Sequence, residues 1–133
     1  MVTKSGIIGL VAGLAVVLFA VSMAGEESTK YIKIIETVDE SGFSQQCVEL
    51  GCYTPVIAHV KSGSVVTMIN TDPTGVHTFT SGTVNGFTPS PDGTFDSSVL
   101  ISGDTFEHKF SSTGTYDYYC MLHTWMTGKI IVK

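Results

Sequence analysis

Seven residues near the C-terminus constrain this chain most: Cys120-Met121-Leu122-His123-Thr124-Trp125-Met126. Gly114 to Tyr119 before them and Thr127 to Val132 after them read as β-strands. A thiol, an imidazole and a thioether, spaced C-x2-H-x2-M, therefore sit on a short loop between two strands. That arrangement suits the mouth of a β-sandwich. With 4 His and 5 Met in the chain, a given Cys meets this spacing by chance roughly once in 900.

The rest of the chain supports an all-β reading. No stretch after residue 25 keeps a 3.6-residue period, and there are no internal repeats. Tyr31 to Glu36 is a candidate first strand, and Thr37 to Gly51 reads as a polar loop. In Val56-Ile57-Ala58-His59-Val60, alternation places Val56, Ala58 and Val60 on one face. Val65 to Ile69 is a β-branched strand. Asn70-Thr71-Asp72-Pro73-Thr74-Gly75 is turn chemistry throughout and delivers His77 to the start of a short strand. Residues 81–94, with three glycines and two prolines, read as a long loop without a period. Phe95 to Ile101 is a candidate strand. Phe106, His108 and Phe110 then alternate with polar residues, and Tyr116, Tyr118 and Cys120 share a face. Short strands with Gly, Pro and Asx turns between them predict an antiparallel Greek-key sandwich of one domain.

The N-terminus is a different material. Lys4 is the single charge before Glu26, and Ser5 to Gly25 is uncharged and apolar. About 20 such residues span a bilayer as a helix. Two fates stay open for residues 1–25: a retained hydrophobic helix, or a signal peptide cut after Ala24. Lys4 before the run and Glu26-Glu27 after it orient the N-terminus inwards, so either fate exports the rest of the chain. Residues 26–52 then form a linker and a closed loop, and residues 53–133 the main domain. Past residue 25 six Lys face 12 Asp and Glu with no Arg. That excess speaks against nucleic acid, which wants clustered cations. Of the three cysteines, Cys47 and Cys52 are close neighbours, and an exported domain keeps disulfides. Their pairing leaves Cys120 as the single thiol. A metal site on Cys47 and Cys52 lacks further donors nearby.

A metal held by Cys120, His123 and Met126 needs one more strong ligand, and His77 supplies it. Two imidazoles and a thiolate in a plane, with a long axial thioether, are the donors of a mononuclear type 1 copper centre. Soft thiolate lets Cu(II) and Cu(I) share one cage, and a weak Met sulfur keeps the ion from a square of four strong ligands. Structural zinc prefers four strong ligands, and Met is a poor fourth. His59 is expected on the solvated side of its strand, and His108 as a half-buried packing residue.

His77-Thr78-Phe79-Thr80-Ser81-Gly82, Asp92-Gly93-Thr94-Phe95-Asp96-Ser97-Ser98 and Tyr116 to Gly128 resemble the cupredoxins of the plastocyanin/amicyanin type. The small membrane-associated blue copper proteins of archaea are the nearest likeness. It spans roughly Cys52 to Val132 and implies a cupredoxin sandwich of about eight strands, with copper on His77, Cys120, His123 and Met126. The ligand loop has the short amicyanin-like form. Many relatives follow the first ligand His with Asn, which steadies the two ligand loops; here Thr78 stands there. A main-chain N–H on the Cys120 sulfur is expected. A binuclear copper centre would need a second Cys in the loop, and a multicopper oxidase a His-Cys-His segment; neither is present.

The resemblance implies a one-electron carrier outside the cytoplasmic membrane, not an enzyme. His123 would present its ring edge as the electron port, with Met121, Leu122, Thr124, Trp125 and Pro73 as an apolar rim for redox partner proteins at or near the membrane. For Trp125 the alternative is packing beneath the loop. Two rival functions remain: small-molecule chemistry at copper, on nitric oxide or superoxide for instance, and copper storage or delivery. No positioned acid or base supports the first. Five methionines, with Met1 and Met23 among them, speak against the second.

Overall fold

A computed structural model describes residues 30–42 and 44–133; the expected helix or signal peptide at 1–25 lies outside them. Among the described residues, nine strands form two sheets. They are β1 (Ile34–Thr37), β2 (Tyr53–Thr54), β3 (Ile57–Val60), β4 (Ser64–Ile69), β5 (Thr80–Asn85), β6 (Thr88–Asp96), β7 (Thr105–Phe110), β8 (Gly114–Tyr119) and β9 (Thr127–Val132). One sheet has the order β2-β1-β4-β7, and the other β3-β9-β8-β5-β6. The candidate first strand is thus an interior one, parallel to β4. Two strands match the sequence-based bounds: β8 and β9 flank the donor loop and pair antiparallel from Gly114↔Val132 to Tyr119↔Thr127.

Alternation in the strands becomes a core between the sheets. Ile35, Ala58, Val60, Val66, Met68, Phe110, Ile130 and Val132 are buried there. At its centre Tyr53 packs on Phe79 and Tyr118, with ring centroids 5.0 and 4.8 Å apart. Aromatic rings bury large areas, and tilted pairs at this spacing add about 0.5–1.5 kcal/mol beyond that burial. Gly128 lies opposite Tyr118 in the β8–β9 ladder, where any side chain would meet the tyrosine ring. Val56 departs from its expected face: it precedes β3 and is exposed.

The largest departure is residues 81–94, expected as a loop. They form the β5–β6 hairpin, closed where Asn85 pairs with Thr88. The period is missing because nearly all of β6 is exposed, with Phe95 its one buried residue. Its prolines are tolerated because β6 is the edge strand, where a missing donor faces water. Register shifts between Thr80 and Gly82, and Gly82 at φ 135° packs against the main chain of Ser90. The expected strand over 95–101 is correspondingly shorter. Beyond Asp96 only Leu100 pairs, in an isolated bridge with His77, and Ser98 turns the chain at φ 59°.

Candidate metal centre

Two connections meet at one end of the sandwich: the segment from β4 to β5 and the loop from β8 to β9. The first is welded in place by polar side chains. Asn70 is fully buried and donates its amide to the carbonyls of Gly75 and Leu100, at 2.9 and 2.8 Å. Its Oδ1 accepts from Thr37 Oγ1 and from the Asp72 N–H, both at 3.0 Å. Thr37 in turn accepts from the main chain of Thr71 and Asp72. The turn residues thereby aim Asp72 at His77, whose Nε2 lies 2.7 Å from Asp72 Oδ2 with both groups shut off from water. Tyr53 reaches out of the core to donate to the Thr78 carbonyl at 2.7 Å. His77 is bridged to Leu100 on its other side.

The second connection is ordered by its own main chain. The N–H of His123 donates to the Cys120 carbonyl, Met126 N–H to His123, and Cys120 N–H to Met126. Three turns of hydrogen bonding over seven residues leave little slack. Thr78 ties the two connections together. Its Oγ1 accepts from the Met121 N–H at 2.9 Å, and its N–H points at Cys120 Sγ from 3.4 Å. The expected amide on the sulfur is therefore that of Thr78. The same residue thus joins the two ligand loops.

Donor atoms converge. Cys120 Sγ lies 3.5 Å from His123 Nδ1 and 3.9 Å from His77 Nδ1, and the three ligating atoms all fall within 4.8 Å of one another. Bonds of about 2.0–2.3 Å in a plane place donors roughly 3.5–4 Å apart, so an ion fits among them with little movement. Cys120 and Met126 are fully buried, and His123 is half-buried.

Electrostatics prepare the thiol as a ligand. Burial pushes Cys120 up, but hydrogen bonds from His77 and from the amides of Thr78, Leu122 and His123 outweigh it and hold it below its ordinary value. Burial likewise opposes a charge on His77, yet Cys120 and Asp72 together raise it. His123 is lowered, by burial first and by His77 second. For Asp72 burial works upward, and the bonds from His77 and Thr74 bring its carboxyl down to about 2.

The remaining sequence-predicted residues divide. Met121 and Leu122 are exposed, each 48%. Trp125 is partly buried against the core and donates its indole N–H to the Ser41 carbonyl at 2.9 Å. It packs 5.3 Å from the His123 ring and is half-buried. Cys47 and Cys52 are joined, and Cys120 is free. His108 packs between Phe95 and Phe110, remote from the donors. His59 is half-buried with Nδ1 shielded from water, so the expectation of a solvated ring is corrected: the segment before β1 runs beside β3, where the Ile32 N–H donates to the His59 carbonyl. Sequence reading missed Asp72, Asn70, Ser41 and Gly42. Asp72 carried one signal, an acid five residues before the ligand histidine.

A two-sheet sandwich with a Cys, two His and a buried Met at one end defines a copper protein. Residues 52–133 match the copper binding proteins of the plastocyanin/azurin family. Amicyanin-alpha of Methylorubrum extorquens is 33% identical over 122 residues, covering 86% of this chain and 96% of that protein. Amicyanin of Paracoccus denitrificans is 32% identical over 77 residues, 56% of this chain and 53% of its own. Among solved structures, a purple cupredoxin from Nitrosopumilus maritimus superposes with a TM-score of 0.65 at 31% identity, over 77% of this chain and all of that one. The chain belongs to the plastocyanin/azurin family, and copper is its cofactor.

Proposed function

We propose that this chain is a one-electron carrier with a mononuclear type 1 copper centre, working outside the cytoplasmic membrane. His77, Cys120 and His123 hold the ion, and Met126 is the weak fourth donor. The observation that carries the reading is the convergence of three ligating atoms from two segments 43 residues apart. Bound copper supplies a Cu(II)/Cu(I) couple. The protein's part is to hold one geometry for both states. Asp72 fixes the His77 ring, Thr78 locks one ligand loop to the other and donates to the sulfur, and the Cys120–Met126 main chain closes on itself. A cage that does not rearrange keeps the reorganisation cost of electron transfer low.

The buried carboxylate touching a donor ring, Asp72, is taken up by His77 and Thr74. It is therefore not free to move a proton for a substrate, which favours the carrier over small-molecule chemistry. Redox partner proteins would approach the exposed Met121–Leu122 shoulder, since small apolar contacts suit fast, weak docking. The apolar N-terminal segment supports export of the domain. Loading with copper(II) should give an intense thiolate-to-copper band in the visible, absent in Cys120→Ser. Voltammetry should be reversible, with no catalytic current on nitric oxide. A colourless wild-type protein, or a catalytic current, defeats the reading.

A further inference from the structure

Between β1 and the disulfide the chain does something a bare ligand loop does not require. Leaving Thr37, it is held by the Val38 N–H on the Cys52 carbonyl at 3.0 Å and turns through the Ser41 N–H on the Val38 carbonyl at 3.3 Å. Glu40 adopts a left-handed φ of 59° to make that turn. Ser41 is then only 1% exposed; its carbonyl takes the Trp125 indole N–H at 2.9 Å and its hydroxyl sits 3.4 Å from His77 Nε2.

Gly42 comes next, against both donor rings. A methyl group built there would stand 2.9 and 3.0 Å from Cε1 and Nε2 of His123, and 3.2 Å from Cε1 of His77. Two of these approaches are at or below the limit at which something must move, and the atoms met are ring atoms of donor residues. Glycine is the residue that lets main chain come this close. Its φ lies outside the left-handed region, so the requirement is one of space. Main chain at Gly42 therefore lies against part of the half-buried ring edge expected to be an open port.

We propose that Val38–Gly42 is a strap that determines what reaches the copper centre: it shuts small exogenous ligands away from the edges of His77 and His123, with Gly42 as the position that allows closure and Trp125 as the latch. This rests on the copper reading above and adds to it why the centre serves outer-sphere electron transfer. The strap is anchored at both ends, by β1 pairing before it and by the Cys47–Cys52 bond after it. Opening it requires the indole bond, the Ser41 hydroxyl contact with His77 and the packing of Gly42 to give way.

The test compares the full-length protein with Gly42→Val and Trp125→Phe. The first readout needs no metal: the rate at which a thiol reagent labels Cys120, the single free thiol. Labelling should rise about tenfold or more in Gly42→Val and several-fold in Trp125→Phe, as expected when a local opening becomes easier. Hydrogen exchange of β9 amides at Ile130 and Val132 should stay unchanged, which general loosening of the sandwich would not allow. The second readout uses copper-loaded protein and azide. Azide should perturb the visible band of Gly42→Val at concentrations that leave wild type unaltered. Equal labelling in all three proteins overturns the strap, as does azide binding to wild type. If Gly42→Val does not fold, Trp125→Phe decides by the same measures. A protein without a thiolate-to-copper band sinks the copper reading, while the labelling comparison still judges the strap.

Discussion

The two donor imidazoles lie 5.0 Å apart and are held in opposite ways. His77 is fixed from behind by a buried carboxylate, on a turn clamped by Asn70 and by Thr37 from a distant strand. His123 is half-buried and stands on a loop ordered by hydrogen bonds among its own seven residues. One ligand is placed by long-range polar side chains and the other chiefly by local main chain, with Thr78 and Ser41 as outside contacts of its loop. The consequence is electrostatic as well as geometric. In the metal-free site Cys120 and Asp72 favour a charge on His77 against its burial, while burial and His77 disfavour one on His123. Neutral imidazole is the form that binds metal.

Removing the carboxylate attacks this contrast most directly. Asp72→Ala leaves the His77 Nε2 proton without its buried partner, and copper affinity should fall about 10–100-fold in a competition titration. Unchanged affinity would mean that packing alone orients His77, and the contrast with His123 would collapse. Acid probes the same pair more gently. Asp72 sits at about 2 when folded against an ordinary 3.8, so the unfolded chain binds the extra proton between those values. Its stabilisation, about 2 kcal/mol, is fully present above the ordinary value and lost as pH falls through 2. Denaturation midpoints of the metal-free protein should show that loss, and Asp72→Asn should flatten it.

A smaller effect tests whether the two loops act as one. Thr78→Val deletes the Oγ1 acceptor of the Met121 N–H and should cost about 1–2 kcal/mol by denaturant unfolding, with the thiolate band shifted rather than lost. No spectral change would show that the loops are independent. The smallest effect is expected far from the centre. His108→Ala removes a ring packed on Phe95 and Phe110, so copper binding and colour should stay as they are. A bleached variant would require a route from that cluster to the donors which the geometry lacks.

Legibility followed the range of the interactions. His77, Cys120 and His123 were found because coordination chemistry restricts residue type and spacing, and β8 and β9 because alternation is strict beside the loop. The β5–β6 hairpin was missed because an exposed edge strand has no buried face to impose a period, and its prolines read as loop. Asp72 was legible only as turn chemistry, since nothing in the local pattern says that Thr37 and Asn70 will aim it. Nothing in the local pattern around Trp125 says that its indole N–H will meet the Ser41 carbonyl, 84 residues away in sequence.

What the amino-acid order determined by itself is local: which residues can bind a soft metal, how far apart they stand on one short loop, and where strands alternate. Such properties need no distant partner to be expressed. The tertiary structure alone decided which turn reaches behind His77, that Thr78 would join the ligand loops, and that Ser41–Gly42 would lie across the imidazole edges. Each of these depends on segments separated by tens of residues meeting in a buried polar setting. There an unpaired group is costly, so the whole fold must settle before any one contact is defined.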